Sequence, residues 1–314
     1  MTARFFHVPT AELARSFDAE VTVEAEYGSY VMEGTLYTAA HHQKDGPYVG
    51  RHVPGHETTG RPSPCNDTGI PVLTDKWPNA RDVVAVSHLD LDTVGGCLRT
   101  MGYFAPLFGA AHAEFWALAE YVDVNGPHRM DPNHPEAHNL LAFWAWMEAC
   151  RPRMSRDEVE EVTDFVMEAG QALLRILVQR HAGLIAAGQR FAARGRVLGS
   201  VSFVRHCRVG EYLVVAREAA QFVNHCYRLD DGQVADVVVA FNTAQHSVTV
   251  SFESPIEGLS CRWLVQDLWG PEAGGHDGIA GSPRGQVMTA ADRDALFHEI
   301  VEHFGSDLDP WADG

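Results

Sequence analysis

Apolar and polar positions along the chain follow two periods. Alternation at 21–27 predicts a half-buried strand, and 35–40 predicts a second. The unbroken run Val83-Val84-Ala85-Val86 has the length and β-branched content of a strand buried on both faces. Helical spacing predicts a short helix at 10–17 and helices at 94–108, 110–121 and 136–150. Ser155-Arg156-Asp157-Glu158 has capping-box form. It predicts a long helix to about 182 with a buried stripe of Val159, Val162, Val166, Leu173, Leu174 and Leu177, continuing to about 194. From 196 the pattern returns to short strands, at 197–204, 212–217, 236–241 and 247–253. A helix at 261–269 and a last one from Thr289 to about 304 close the chain. The expected class is α/β: a parallel-sheet domain over 1–150, a helical connector over 151–195 and a smaller C-terminal α/β domain over 196–314.

Composition narrows the partners. The 42 acidic against 24 basic residues give a formal net charge of −18, which repels long nucleic acid and favours small substrates. Only two basic residues are lysine (Lys44 and Lys76), so anion recognition falls largely to arginine. No apolar run approaches the ~20 residues that span a bilayer. The first residues lack a long apolar signal core, so the expected location is cytoplasmic, with no membrane partner. The six cysteines form no C-x-x-C pair, as expected of reduced thiols. A homodimer stays open.

The candidate chemistry begins where the central strand ends. His88, Asp90 and Asp92 alternate with leucines, so an extended backbone would point all three to one side. Two carboxylates and an imidazole there suit a divalent cation. Asp123, followed by a Gly-Pro stop and His128, and the pair His41-His42 at a strand end are further candidate metal ligands. The long 43–80 stretch, rich in Gly, Pro, His, Asn and Asp, reads as a loop that is either functional or disordered; His52 and His56 within it are separated by Pro54-Gly55, against a helical zinc motif. Gly274-Gly275-His276 with Arg284 reads as an anion-binding loop.

His88-Leu89-Asp90-Leu91-Asp92-Thr93-Val94-Gly95-Gly96 after a strand resembles the first motif of the DHH phosphoesterases. Gly274-Gly275-His276-Asp277-Gly278-Ile279-Ala280-Gly281 is similar to the GGHxxAAG loop of their associated C-terminal domain. A literal Asp-His-His is absent; Ala40-His41-His42 lies upstream of the first motif and would require a rearranged strand order or stand as an independent ligand pair. The resemblance implies Mn2+ or Mg2+ held by His88, Asp90 and Asp92, with Asp123 in place of a second-motif aspartate. It implies a water, activated by metal, attacking a small phosphoester or short oligonucleotide, with His88, Asp90 and Asp92 catalytic. Gly274, Gly275, His276 and Arg284 would grip the phosphate. Two rival expectations stand beside it. One is a zinc hydrolase of an amide or misacylated ester, motivated by the His-rich 41–67 stretch. The other is a non-catalytic nucleotide-binding protein of the same architecture.

Overall fold

The computed structural model describes residues 3–28, 30–40, 48–49, 64–66 and 83–305. The chain divides into two compact units. Unit 1 comprises Met1–Val124 and Arg129–Ala192; unit 2 comprises Asn125–His128 and Ala193–Gly314. The class is α/β, as the alternation of patterns predicts.

Unit 1 is built on a six-stranded sheet. Its strands are β1 (Arg4–His7), β2 (Val21–Val23), β5 (Tyr37–Ala40), β6 (Tyr48–Val49), β7 (Val83–Val86) and β8 (Glu160–Glu161), in the order β6-β5-β2-β7-β1-β8. A separate hairpin joins β3 (Glu26–Tyr27) to β4 (Tyr30–Val31). Strands β5, β2, β7 and β1 run parallel, with Val21 opposite both Tyr37 and Val84, and Phe5 also opposite Val84. The outer strands β6 and β8 are antiparallel. Helices cover both faces, which is why β7 reads as continuous apolar sequence rather than alternating. On one face Phe5, Val23, Val84 and Val86 pack with α2 (Leu91–Thr100), α4 (Ala137–Cys150) and α5 (Thr163–Leu173); α3 (Ala113–Asn125) adds Phe115 and Trp116. On the other face Ala85 and Val8 meet α1 (Ala11–Ser16), together with Tyr27 and Met32.

The expected long helix from 155 is broken twice. The Ser155 hydroxyl does accept the N–H groups of Asp157 (3.3 Å) and Glu158 (3.1 Å), as a capping box would. Glu160 and Glu161 then pair with His7 and Phe6, and the Phe5 carbonyl takes the Val162 N–H at 2.7 Å. Completing a sheet edge wins over local helix propensity, so α5 begins only at Thr163. A π-helical turn (Leu174–Val178) follows, and Arg180 at φ 51° separates it from α6 (Ala182–Val201). The strand expected at 197–204 is mostly the end of α6. Arg217 donates to the Gly199 carbonyl and to the Ser202 hydroxyl, stapling that helix end.

Unit 2 carries a second six-stranded sheet, built from β9 (Phe203–Val209), β10 (Tyr212–Ala219), β11 (Val237–Asn242), β12 (Ser247–Phe252), β13 (Gly274–Gly275) and β14 (Ile279–Gly281). The order is β13-β14-β12-β11-β10-β9, and only β10 and β11 are parallel neighbours. Helices α7 (Cys261–Trp269) and α8 (Ala290–Gly305) place Leu264, Val265, Leu296, Phe297 and Ile300 against Val214, Val239 and Val250. Among the described residues, no helix is long and apolar enough to cross a membrane.

Candidate functional site

The C-terminal ends of the parallel strands in unit 1 carry its polar residues. β1 ends at His7, β2 is followed by Glu24, and β7 by Ser87 and His88. In open parallel sheets this edge is where ligands bind, because the strand ends and the following helix N-termini face it.

The chain leaves β7 at Val86, and Asp90 becomes the N-cap of α2, its Oδ1 accepting the Thr93 N–H at 2.8 Å. The extended alternation expected for His88, Asp90 and Asp92 is therefore replaced by a helix start. An aspartate satisfies the exposed amides there better than continued strand would. His88 sits over this cap. Its Nε2 lies 2.9 Å from Asp90 Oδ2 and 3.2 Å from the Thr93 hydroxyl, and its Nδ1 lies 3.1 Å from the Ser87 hydroxyl. Burial works to raise the Asp90 pKa, but the His88 charge and hydrogen bond, with the Thr93 amide and hydroxyl, outweigh it. The Asp90 carboxyl is held well below the usual carboxylate range.

Asp92 follows in the first turn of α2 and is 4% exposed, with Oδ1 accepting the Cys65 N–H at 2.8 Å. Arg99, one face of the same helix further on, donates from Nε to the Cys65 carbonyl at 3.0 Å. Gly95 is required by packing here. A Cβ would stand 2.6 Å from Cys65 Cβ and 2.7 Å from the Trp116 ring.

Glu24 is a site residue that the sequence reading passed over. It is fully buried and holds φ 51°, the left-handed region that a non-glycine residue rarely adopts. Its N–H donates to the Ala39 carbonyl at 2.8 Å, and its own carbonyl accepts from the Ser87 N–H (3.3 Å) and hydroxyl. The kink thus ties the ends of β2, β5 and β7 together. Burial, then the charges of Glu24, Asp92 and Asp90, push the Cys97 thiol well up. His7, whose Nε2 lies 3.2 Å from the Ser87 carbonyl, and Arg151, which donates to the Leu89 carbonyl at 3.1 Å, border the same edge. Burial pulls the Arg151 pKa down and the Asp90 charge opposes it. The available signal for His7 was the one used for His88: a polar residue ending an apolar strand.

Among the described residues, no three His, Cys, Asp or Glu side chains stand together as a set able to hold a metal ion. His41 and His42 lie outside the described residues, as do His52 and His56. Asp123 is half-buried in α3. His128 belongs to unit 2, where its Nε2 lies 3.2 Å from the Glu253 carbonyl and its ring 4.4 Å from that of Tyr227.

In unit 2, Gly274 and Gly275 form β13 and pair with Gly281 and Ala280 of β14, so the glycine run is a hairpin. The His276 N–H is used within that turn, donating to the Ile279 carbonyl at 2.7 Å. Gly275 has φ 144°, and a Cβ there would meet the Ile279 carbonyl oxygen at 2.5 Å and Ala280 Cα at 2.6 Å. Arg262, not singled out from sequence, donates from Nε to the Gly275 carbonyl at 2.6 Å. Ser260 caps α7 and also donates its hydroxyl to Asp277 at 2.5 Å. Arg284 is half-buried just after β14. Compared with known proteins, the chain matches no family model and no curated protein.

Proposed function

We propose that the chain is a hydrolase of small phosphoesters, working with a divalent cation at the C-terminal edge of the unit 1 sheet. The observation that supports this reading is the pairing of His88 with Asp90 at 2.9 Å just beyond the C-terminal end of β7, with the buried Asp92 in the first turn of α2. A buried carboxylate such as Asp92 favours a neutralising cation. Mn2+ or Mg2+ suits an oxygen-rich donor set, and Zn2+ would draw more on imidazole. The described residues do not by themselves complete a ligand set. What they supply is proton chemistry and orientation. His88, bonded to Ser87, Thr93 and Asp90, can hold or release a proton at Nε2. Asp92, fixed by the Cys65 amide, presents a carboxylate of set direction. The net charge of −18 supports a small phosphorylated substrate or short oligonucleotide over a polymer, and six free thiols support a reducing, cytoplasmic setting.

The experiment is elemental analysis of the full chain, followed by a screen of small phosphoesters with Mn2+. The expected result is turnover that depends on added cation and falls by about 100-fold or more in Asp92→Asn and His88→Gln. Unchanged turnover in both variants would overturn the mechanism.

One observation favours a second reading, a non-catalytic nucleotide-binding protein. Asp90 is engaged as a helix cap and paired with His88, an arrangement complete without a cation. Tight nucleotide binding with no phosphate release under Mn2+, Mg2+ or Zn2+ would decide for it.

A further inference from the structure

Arg151 is the C-cap of α4. Pro152 cannot continue a helix and pushes the residue before it to extended backbone, so the chain leaves α4 at Arg151 with φ −62° and ψ 124°. The Arg151 side chain reaches the C-terminal edge of the unit 1 sheet. Its Nη1 donates to the Leu89 carbonyl at 3.1 Å, which holds the guanidinium at the residue between His88 and Asp90.

A guanidinium carries five N–H donors. Among the described residues, this one makes a single hydrogen bond, to a neutral oxygen, and no ion pair. The bond to Leu89 uses Nη1 and leaves whole the fork formed by Nε–H and Nη2–H, which matches two oxygens of a phosphate. Asp90 acts on Arg151 only through its charge, because its Oδ1 accepts the Thr93 N–H and its Oδ2 faces His88 Nε2. The buried arginines of unit 2 are satisfied differently. Arg217 donates to the Gly199 and Arg228 carbonyls and the Ser202 hydroxyl, and Arg293 donates to the carboxylates of Glu218 and Asp294. A half-buried cation with no counter-charge in contact is costly, and a bound anion offsets that cost.

Two neighbours add to the same field. α2 begins at Leu91, so the positive end of its dipole lies beside the guanidinium. The chain from Arg151 to Arg156 holds three arginines and no acidic residue, within a net charge of −18. Burial, then the Arg153 charge, lower the Arg156 pKa, so like charges stand close on this connection.

We propose that Arg151 binds the phosphate of the substrate at this edge, its Nε–Nη2 fork taking two oxygens. This rests on the reading of unit 1 as a phosphoester hydrolase and gives that site a cation belonging to the chain itself. The grip needs two unesterified oxygens, so phosphate monoesters and diesters fit and triesters do not.

Inorganic phosphate, titrated calorimetrically into the full chain in Mg2+ buffer, tests this. The native chain is compared with Arg151→Gln, Arg151→Lys and Arg4→Gln, each shown to be folded by its melting curve. The dissociation constant is expected to rise about tenfold or more in Arg151→Gln, and to stay unchanged in Arg4→Gln, at the opposite end of β1. Arg151→Lys keeps the charge but lacks the fork, and is expected to lose about threefold. No saturable phosphate binding by the native chain would overturn the proposal, as would native affinity in Arg151→Gln or in Arg151→Lys. The site and the hydrolase reading fail separately. Phosphate binding that depends on Arg151, in a chain that turns over no phosphoester, would sink the hydrolase and support the site. Turnover with KM unchanged in Arg151→Gln would keep the hydrolase and overturn the site.

Discussion

His88 Nε2 stands 2.9 Å from Asp90 Oδ2, while the other oxygen of the same carboxylate takes the Thr93 N–H at 2.8 Å. One side chain therefore both starts α2 and positions the imidazole. Asp90→Ala removes the cap and the ion pair together and is expected to destabilise the chain by ~1–2 kcal/mol. Asp90→Asn keeps the cap and should lose only part of that. Urea unfolding of the three proteins measures the difference.

The same pair sets a pH dependence. The Asp90 carboxyl is depressed in the folded chain, so its charge contributes stability that is fully present above the unfolded carboxylate pKa of about 3.9 and is lost as pH falls toward the folded value. The stability gap between the native chain and Asp90→Asn is expected to be level above about pH 5 and to shrink below about pH 4. A gap that widens on acidification would contradict this account.

His225 acts in the same direction over a higher pH window. Burial, then the charges of His128 and Arg217, push its pKa down to about 4. In unfolded chain the imidazole takes up its proton near pH 6.5, so between those values the unfolded state binds more protons and stability falls as pH falls. His225→Gln is expected to flatten the slope of stability against pH between about 6.5 and 4, read by denaturant titration at a series of pH values.

Glu24 separates backbone strain from carboxylate chemistry. At φ 51°, Glu24→Gly is expected to be more stable than Glu24→Ala by ~1 kcal/mol, because glycine has no Cβ to crowd a left-handed backbone. If the carboxylate serves the proposed hydrolysis, both variants lose activity alike. Thermal melts and turnover, measured side by side, show whether the two effects part.

Gly275→Ala is expected to cost ~2 kcal/mol or more and to loosen the β13–β14 hairpin, since its Cβ would enter the backbone of Ile279 and Ala280. Gly278→Ala, where a Cβ meets nothing within 4 Å, should be close to neutral. Melting temperature and amide exchange over 274–281 distinguish the pair.

Much of the candidate edge was visible as residues but not as geometry. The ligand-like character of His88, Asp90 and Asp92 is plain in the sequence, yet Asp90 turns away as a cap because four free amides at the start of α2 need an acceptor. Glu24 lies inside an alternating apolar stretch, where a single acidic residue reads as the solvent face of a strand. Only its pairing with Ala39 and Ser87 shows it buried at the meeting of three strands. Ser155 formed its local turn, but the sheet took Glu160 and Glu161 before a helix could propagate.

By itself, then, the amino-acid sequence determined the elements whose signals are local. Val83–Val86 is a strand, Ala137–Cys150 and Cys261–Trp269 are helices, and β11 and β12 form a hairpin, because hydrophobic period, caps and turn residues act over a few positions. Tertiary structure alone decided which strand ends share an edge, tying Glu24 to Ala39 and Ser87, and where the long helical pattern breaks. Those outcomes rest on contacts between residues tens of positions apart. Their free energies compete with local preference and leave no periodic mark in the chain.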